Sequence, residues 1–258
     1  ADESPLLTIT KAQTIAIRSS VTERHGEGVM VDFCMRYGNP SINSVVQKMV
    51  DAGCQKILFF PLYPQYAGAT SATANDEFFR SLIKQTWQPT ARTVGAYFDH
   101  PDYIDALATS IERGYANAEV EPEILVCSYH GVPKRYLMQG DPYHCLCQKT
   151  TRLLKERLGW DESQIITTFQ SKFGPEQWLQ PYTVEEVARL AKLGKKNIAV
   201  CAPAFSADCI ETLEEINEEI RESFEHAGGE KFTYIPCLND EPAHILALTK
   251  IISDNLHG

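Results

Sequence analysis

The residues of this chain whose types and spacing could do chemistry are one histidine and three glutamates. His130 stands in Cys127-Ser128-Tyr129-His130-Gly131-Val132-Pro133, after an apolar run and before a sharp turn. Gly131 permits backbone angles that other residues resist, and Pro133 fixes the exit. Glu211 stands in Ala207-Asp208-Cys209-Ile210-Glu211-Thr212-Leu213, shortly after another apolar run. A neutral imidazole facing a carboxylate can hold a divalent cation or move protons. Glu215 and Glu219 repeat the position of Glu211 at spacings of four, with Glu218 and Glu222 beside them. Like charges at that spacing cost roughly 0.2–0.5 kcal/mol per pair. Glu211, Glu215 and Glu219 therefore read either as a solvated helix face or as a ladder of oxygen ligands for a divalent cation.

Each of these residues also has a plainer reading. His130 could simply close a strand end. Asp208-x-x-Glu211 has the form of a capping box, and the helix dipole favours acidic residues in a first turn. Cys145 and Cys147, next to His144, offer soft ligands at C-x-C spacing. Structural zinc and iron–sulfur sites usually take four ligands, often at C-x-x-C spacing, so buried or reduced thiols are the alternative. Aromatic residues gather after several apolar runs: Tyr63 and Tyr66, Phe169 with Trp178 after it, and Phe205. Singly they read as core. Together they fit a flat apolar ligand held between rings, with Arg36, Tyr37 and Lys172 at an anionic rim.

The elements that must position these residues alternate. Strands are expected over 29–35, 56–62, 93–98, 123–129, 164–169, 197–202 and 232–236. Helices are expected over 42–52, 71–84, 103–118, 142–158, 183–193, 208–227 and 241–255. Such alternation predicts an α/β fold with parallel sheets flanked by helices. In open sheets of this kind ligands bind outside the carboxyl ends of the strands, which would let His130 and Glu211 face one cleft. A weak boundary at 117–122 divides the chain into two similar halves, 1–118 and 119–258, the last helix packing back on the first. Three strands precede the boundary and four follow it, so the first half reads as lacking a strand.

Composition narrows the function classes. The 258 residues are 43% hydrophobic and 22% charged, with a formal charge of −10. No basic run is present to neutralise phosphates, which argues against a nucleic-acid partner. No apolar run approaches the ~20 residues that span a bilayer. The chain opens Ala1-Asp2-Glu3-Ser4-Pro5 without a basic start and apolar core, so no secretory leader is expected. It also opens without Met and so reads as a fragment or a processed form. Eight Cys without a small-domain framework fit a reducing compartment, and a cytoplasmic location is expected.

Seven strings, in order along nearly the whole chain, resemble the ferrochelatases. They are Phe33-Cys34-Met35-Arg36-Tyr37, Pro61-Leu62-Tyr63-Pro64-Gln65-Tyr66, Ser128-Tyr129-His130-Gly131-Val132-Pro133, Gly140-Asp141-Pro142-Tyr143, Phe169-Gln170-Ser171-Lys172-Phe173-Gly174, Trp178-Leu179, and Ala207-Asp208-Cys209-Ile210-Glu211-Thr212-Leu213-Glu214-Glu215. Any one alone is weak; the ordered set is specific. The form from Gly140 to Thr150 looks like the Gram-negative bacterial branch. The resemblance implies two Rossmann-like lobes, as in class II chelatases, holding a porphyrin between them. The implied activity is that of a lyase of heme biosynthesis, which inserts Fe2+ into protoporphyrin IX and releases two protons. His130 and Glu211 are then expected at the iron site, and Glu215 and Glu219 would continue the ladder. Arg36, Tyr37, Tyr63, Lys172, Trp178 and Phe205 are expected to bind the porphyrin.

Two departures accompany the resemblance. Family members carry a further segment ahead of Ser4, which supplies the first strand of the first lobe, so that lobe is expected to be incomplete. Members with an iron–sulfur cluster bind it through a C-terminal Cys-rich extension; the chain stops at Gly258 without one, and no cluster is expected. Fe2+ enters as substrate. Peripheral membrane association is compatible with the resemblance, and the oligomeric state stays open. The alternatives are a related chelatase acting on a sirohydrochlorin or coproporphyrin ring, and a non-catalytic porphyrin or metal carrier.

Overall fold

The computed structural model describes residues 3–256. Among the described residues six strands form two parallel sheets, flanked by nine α-helices and one π-helix between the seventh and eighth of them. The first sheet pairs β1 (Lys56–Phe59) with β2 (Thr90–Thr93), in register from Lys56 opposite Thr90 to Phe59 opposite Thr93. The second is built from β3 (Leu125–His130), β4 (Ile165–Gln170), β5 (Asn197–Cys201) and β6 (Lys231–Tyr234), in the order β4-β3-β5-β6. All its pairings are parallel. No helix among the described residues is long and apolar enough to cross a membrane.

The second sheet has cores on both faces, as a parallel sheet requires. Leu125, Cys127 and Tyr129 alternate with Val126, so one strand feeds two cores. The Leu125 side packs against α1 (Pro5–His25), α4 (Pro101–Ala116), α6 (Tyr143–Leu158) and α9 (Pro242–Leu256). The Val126 side packs against α7 (Thr183–Lys192), the π-helix (Glu211–Ile220) and α8 (Arg221–His226). Val94 and Tyr97 from the first half join the Leu125 core, and the Tyr103 hydroxyl donates to the Pro203 carbonyl. A smaller core lies between α2 (Ile42–Asp51), β1 and α3 (Ser71–Ile83), with Phe59 stacked on Phe78 at 4.6 Å.

Several sequence expectations need correction. Residues 29–34 form no strand; a bridge from Met35 to Ser41 is all that follows them. Their backbone groups find other partners: Arg18 donates twice to the Val31 carbonyl, and Asp32 accepts from Phe33 N–H. The strand expected over 93–98 ends at Thr93, because the chain leaves the sheet at Val94 to bury Tyr97 against Tyr103. Two helices were not expected. α1 starts on Ser4, whose hydroxyl accepts from Leu7 N–H, with Pro5 in its first turn, and it stops at Gly26 with φ 77°. The short α5 (Lys134–Met138) follows the His130 turn.

The helix expected over 208–227 is not one α-helix. Residues 211–220 form the π-helix, and regular α-helix resumes at Arg221. The capping box does not form. The Asp208 carboxylate is buried and accepts from Thr212, Tyr234, Cys237 N–H and Asn239 instead. A π-helix bonds i to i+5 and marks functional segments more often than chance. With more than four residues per turn, Glu211, Glu215 and Glu219 each fall just short of a full turn from the last. Ile216, Ile220 and Phe224 are buried at the same spacing of four.

Candidate active site

His130 is the last residue of β3, half-buried at the carboxyl edge of the second sheet. Its Nδ1 lies 2.7 Å from the Gly131 carbonyl oxygen. A carbonyl can only accept, so Nδ1 carries the proton and Nε2 keeps a free lone pair. Trp178 and Phe205 flank the imidazole with centroids at 6.5 and 6.4 Å. The Trp178 strap is tied to the turn on both sides: Leu179 N–H donates to Val132 and Lys134 N–H to Gln177. Gly131 is required by close approach. A Cβ there would stand 2.7 Å from the Gln170 carbonyl oxygen and 3.1 Å from the Trp178 ring.

The acidic side is built by the π-helix. Glu211 and Glu215 are half-buried and Glu219 is exposed. Both Glu215 oxygens are held: Ser171 N–H donates to Oε1 at 2.6 Å, and the Ser171 hydroxyl and Gln170 Nε2 donate to Oε2. Cys209 lies beside Glu211, and burial followed by the Glu211 carboxylate pushes its thiol up to about 12. The thiol therefore stays protonated at neutral pH and serves as a donor.

A third group comes from the first half. Burial raises the Tyr63 phenol most; Tyr37 adds to this, Arg36 opposes it, and Glu211 and Cys209 add further. Tyr63 is thus within electrostatic reach of both Arg36 and Glu211. The Arg36 guanidinium lies over the Tyr37 ring at 4.5 Å, and its buried Nε has no partner among the described residues. Tyr37 itself is 73% exposed.

Of the expected site residues, the structure brings His130 together with Trp178 and Phe205 and Arg36 together with Tyr37, while Tyr63 lies within electrostatic reach of Arg36, Tyr37 and Glu211. No hydrogen bond or ion pair among the described residues joins His130 to Glu211. Lys172 is drawn aside, its ammonium 4.7 Å over the Tyr182 ring. Cys145 is exposed while Cys147 is buried, so the two do not converge. Among the described residues no three His, Cys, Asp or Glu side chains form a ready metal cage. The arrangement offers an imidazole lone pair and oxygen ligands from separate elements. Gln170, Ser171 and Cys209 were missed as site residues. For Gln170 the signal is the buried strand 165–170, whose last residue is polar and so must find partners.

The ferrochelatase family model matches residues 1–256. A ferrochelatase of Rhodobacter capsulatus is 65% identical over 258 residues, covering all of this chain and 74% of that protein. One from Rhizobium meliloti is 56% identical over 230 residues, covering 89% of this chain and 68% of the relative. The chain thus spans about three quarters of the length of a relative that it matches from end to end. Two solved structures share the fold. SirB from Bacillus subtilis with Fe3+ has a TM-score of 0.63 at 13% identity, over 94% of this chain and 88% of that one. CbiX, the terminal enzyme for siroheme biosynthesis in denitrifying bacteria, has 0.64 at 12%, over 99% and 95%.

Proposed function

The chain belongs to the ferrochelatase family, and we infer that it is a lyase of heme biosynthesis, inserting Fe2+ into protoporphyrin IX with release of two protons. The observation that carries the mechanism is His130. Its ring is fixed through Nδ1 and flanked by two aromatic rings, and its Nε2 is free to accept a proton.

A porphyrin must lose two N–H protons from its central nitrogens as the metal enters. A flat ring hides those nitrogens, and bending it exposes them at a strain of roughly 1–5 kcal/mol. Binding along the ring edge supplies that strain. We assign Tyr37, Tyr63, Trp178 and Phe205 to the ring faces and edges, and Arg36 and Lys172 to the propionates. The unpartnered Arg36 Nε supports the former of these two cations, and the position of Lys172 over Tyr182 means it must swing to serve.

His130 then takes protons from one face of the ring. Glu211, Glu215 and Glu219 pass the metal along the π-helix by partial, exchanging coordination; oxygen ligands suit such transfer because they bind without fixing one geometry. A cytoplasmic location belongs to the same reading, supported by eight cysteines that are all free thiols.

The test is metal insertion into protoporphyrin IX by the full-length protein, followed by porphyrin fluorescence and heme absorbance. Fe2+ should convert protoporphyrin to heme at a rate proportional to protein. Faster metallation of sirohydrochlorin, or porphyrin binding without insertion, would contradict the assignment.

A further inference from the structure

We propose that Gln170 is a positioning residue that sets the separation between His130 and the acidic π-helix; the proposal rests on the metal-insertion reading above. Gln170 ends β4 and is the register partner of His130 on β3. Its carbonyl oxygen accepts from Gly131 N–H at 2.8 Å, directly after His130. Its side chain is 4% exposed. Nε2 donates to the Glu211 carbonyl at 2.8 Å and to Glu215 Oε2 at 3.1 Å. One residue is therefore bonded both to the turn that carries the imidazole and to two rungs of the ladder.

The amide is aimed from behind. Its Oε1 accepts from Ser128 Oγ at 2.7 Å, which uses the single Ser128 proton. Thr183 must then donate to Ser128 at 2.8 Å; Thr168 lies 2.8 Å from Thr183 and also within reach of the Cys127 carbonyl, to which it can donate at 3.4 Å. All three hydroxyls are fully buried, so none can turn to water. A flipped amide would set Oε1 against a Glu215 oxygen, acceptor to acceptor. The two acceptors on the π-helix thus keep the N–H groups of Gln170 toward it, and the Ser128 hydroxyl supports the amide oxygen from the other side. Ser171 completes the clamp from φ 61°, a backbone state uncommon outside glycine. Glu215 becomes the anchored rung, whereas the exposed Glu219 has no bond among the described residues.

Gln170→Leu keeps roughly the same volume and removes the side-chain bonds. In full-length protein it should lower kcat/KM for Zn2+ or Fe2+ about 10-fold or more, since hydrogen bonds to charged groups are lost. Protoporphyrin affinity, read by fluorescence, should stay within about twofold, because no ring contact is touched. A general packing defect would instead weaken both. Glu215→Gln distinguishes the proposal from its premise. If that variant leaves the metal KM unchanged, the ladder reading fails and the proposal with it. If it raises the metal KM while Gln170→Leu does not, the proposal alone is overturned. The double variant should lose less than the product of the single losses, as expected for residues in contact; a full product overturns the proposal. Should Gln170→Leu not fold, Ser128→Ala removes only the hydroxyl that aims the amide. It should lower the same metal kcat/KM about two- to threefold, and no change would overturn the proposal.

Discussion

The two sheets of this chain repeat one strand–helix alternation and hold their site residues in different ways. In the four-stranded sheet, β3 is buried along nearly its whole length, and His130 is tied to its own turn. Glu215, on the π-helix packed against the same sheet, takes three donors. In the two-stranded sheet, β1 and β2 are four residues each and partly exposed. Their aromatic residues stand on loops, and Tyr37 is 73% exposed. The groups proposed to move protons and metal thus sit on the half whose strands are more fully buried. Of the groups proposed to capture the ring, Arg36, Tyr37 and Tyr63 sit on the half with less burial, while Trp178 and Phe205 stand beside His130 on the other. That division suits the chemistry: proton transfer fails with small misplacement, whereas a large flat ligand can supply order as it binds.

The largest expected effect on stability comes from truncating the aromatic anchors of each half. Phe224→Ala and Phe78→Ala each remove a fully buried ring, and each should cost about 3–5 kcal/mol in chemical denaturation. Their functional consequences should part. Phe224 lies in the core beneath the π-helix, so its loss should lower kcat for insertion. Phe78 supports β1, so its loss should raise the porphyrin KM while leaving kcat nearly intact. A Phe78→Ala protein with normal porphyrin KM and no turnover would break the comparison. Native-state hydrogen exchange sharpens it further. Amides of β3 and β5 should exchange with the slowest, globally limited rates, and those of β1 and β2 faster. Equal protection in the two sheets would contradict the account.

A smaller effect should appear with pH. His244 is 1% exposed, and burial holds its imidazole below the ordinary value, partly offset by the Asn239 carbonyl that accepts from Nδ1. The unfolded chain takes up a proton near pH 6.5, and the folded chain only at lower pH. Between those points the unfolded state binds more protons, so stability falls as pH falls below about 6.5. Thermal melts should show that decline, and His244→Gln should flatten it. An equally steep decline in both proteins would remove His244 as its cause.

What the sequence showed and concealed follows the same physics. His130 at a strand end was legible because an apolar run followed by Gly131 and Pro133 marks an edge. The four strands of the second sheet were legible because burial on both faces leaves a near-continuous apolar run. Residues 29–35 carry a similar run yet form no strand, since a strand needs a neighbour and apolarity records only burial. α1 carried readable signals at both ends, Ser4-Pro5 and Gly26. It went unread because its faces are weakly divided, with Gln13 and Thr14 buried beside Ile17 and Val21. The π-helix was concealed for a different reason. Carboxylates spaced by four suit either an α- or a π-helix, and only the backbone bonding separates them. Asp208 and Glu211 matched a capping pattern, but partners distant in sequence, Tyr234 and Asn239, claimed Asp208. The Gln170 clamp depends on contacts among four elements, which no local pattern reports.

The central claim is that His130 accepts the ring protons while other residues hold the ring. The most direct test is His130→Ala in full-length protein, with insertion of Fe2+ into protoporphyrin IX and porphyrin binding measured side by side. The account predicts that insertion falls by roughly 10²–10⁴, the usual contribution of a positioned general base, with porphyrin affinity nearly unchanged. Near-normal turnover in that variant would contradict it.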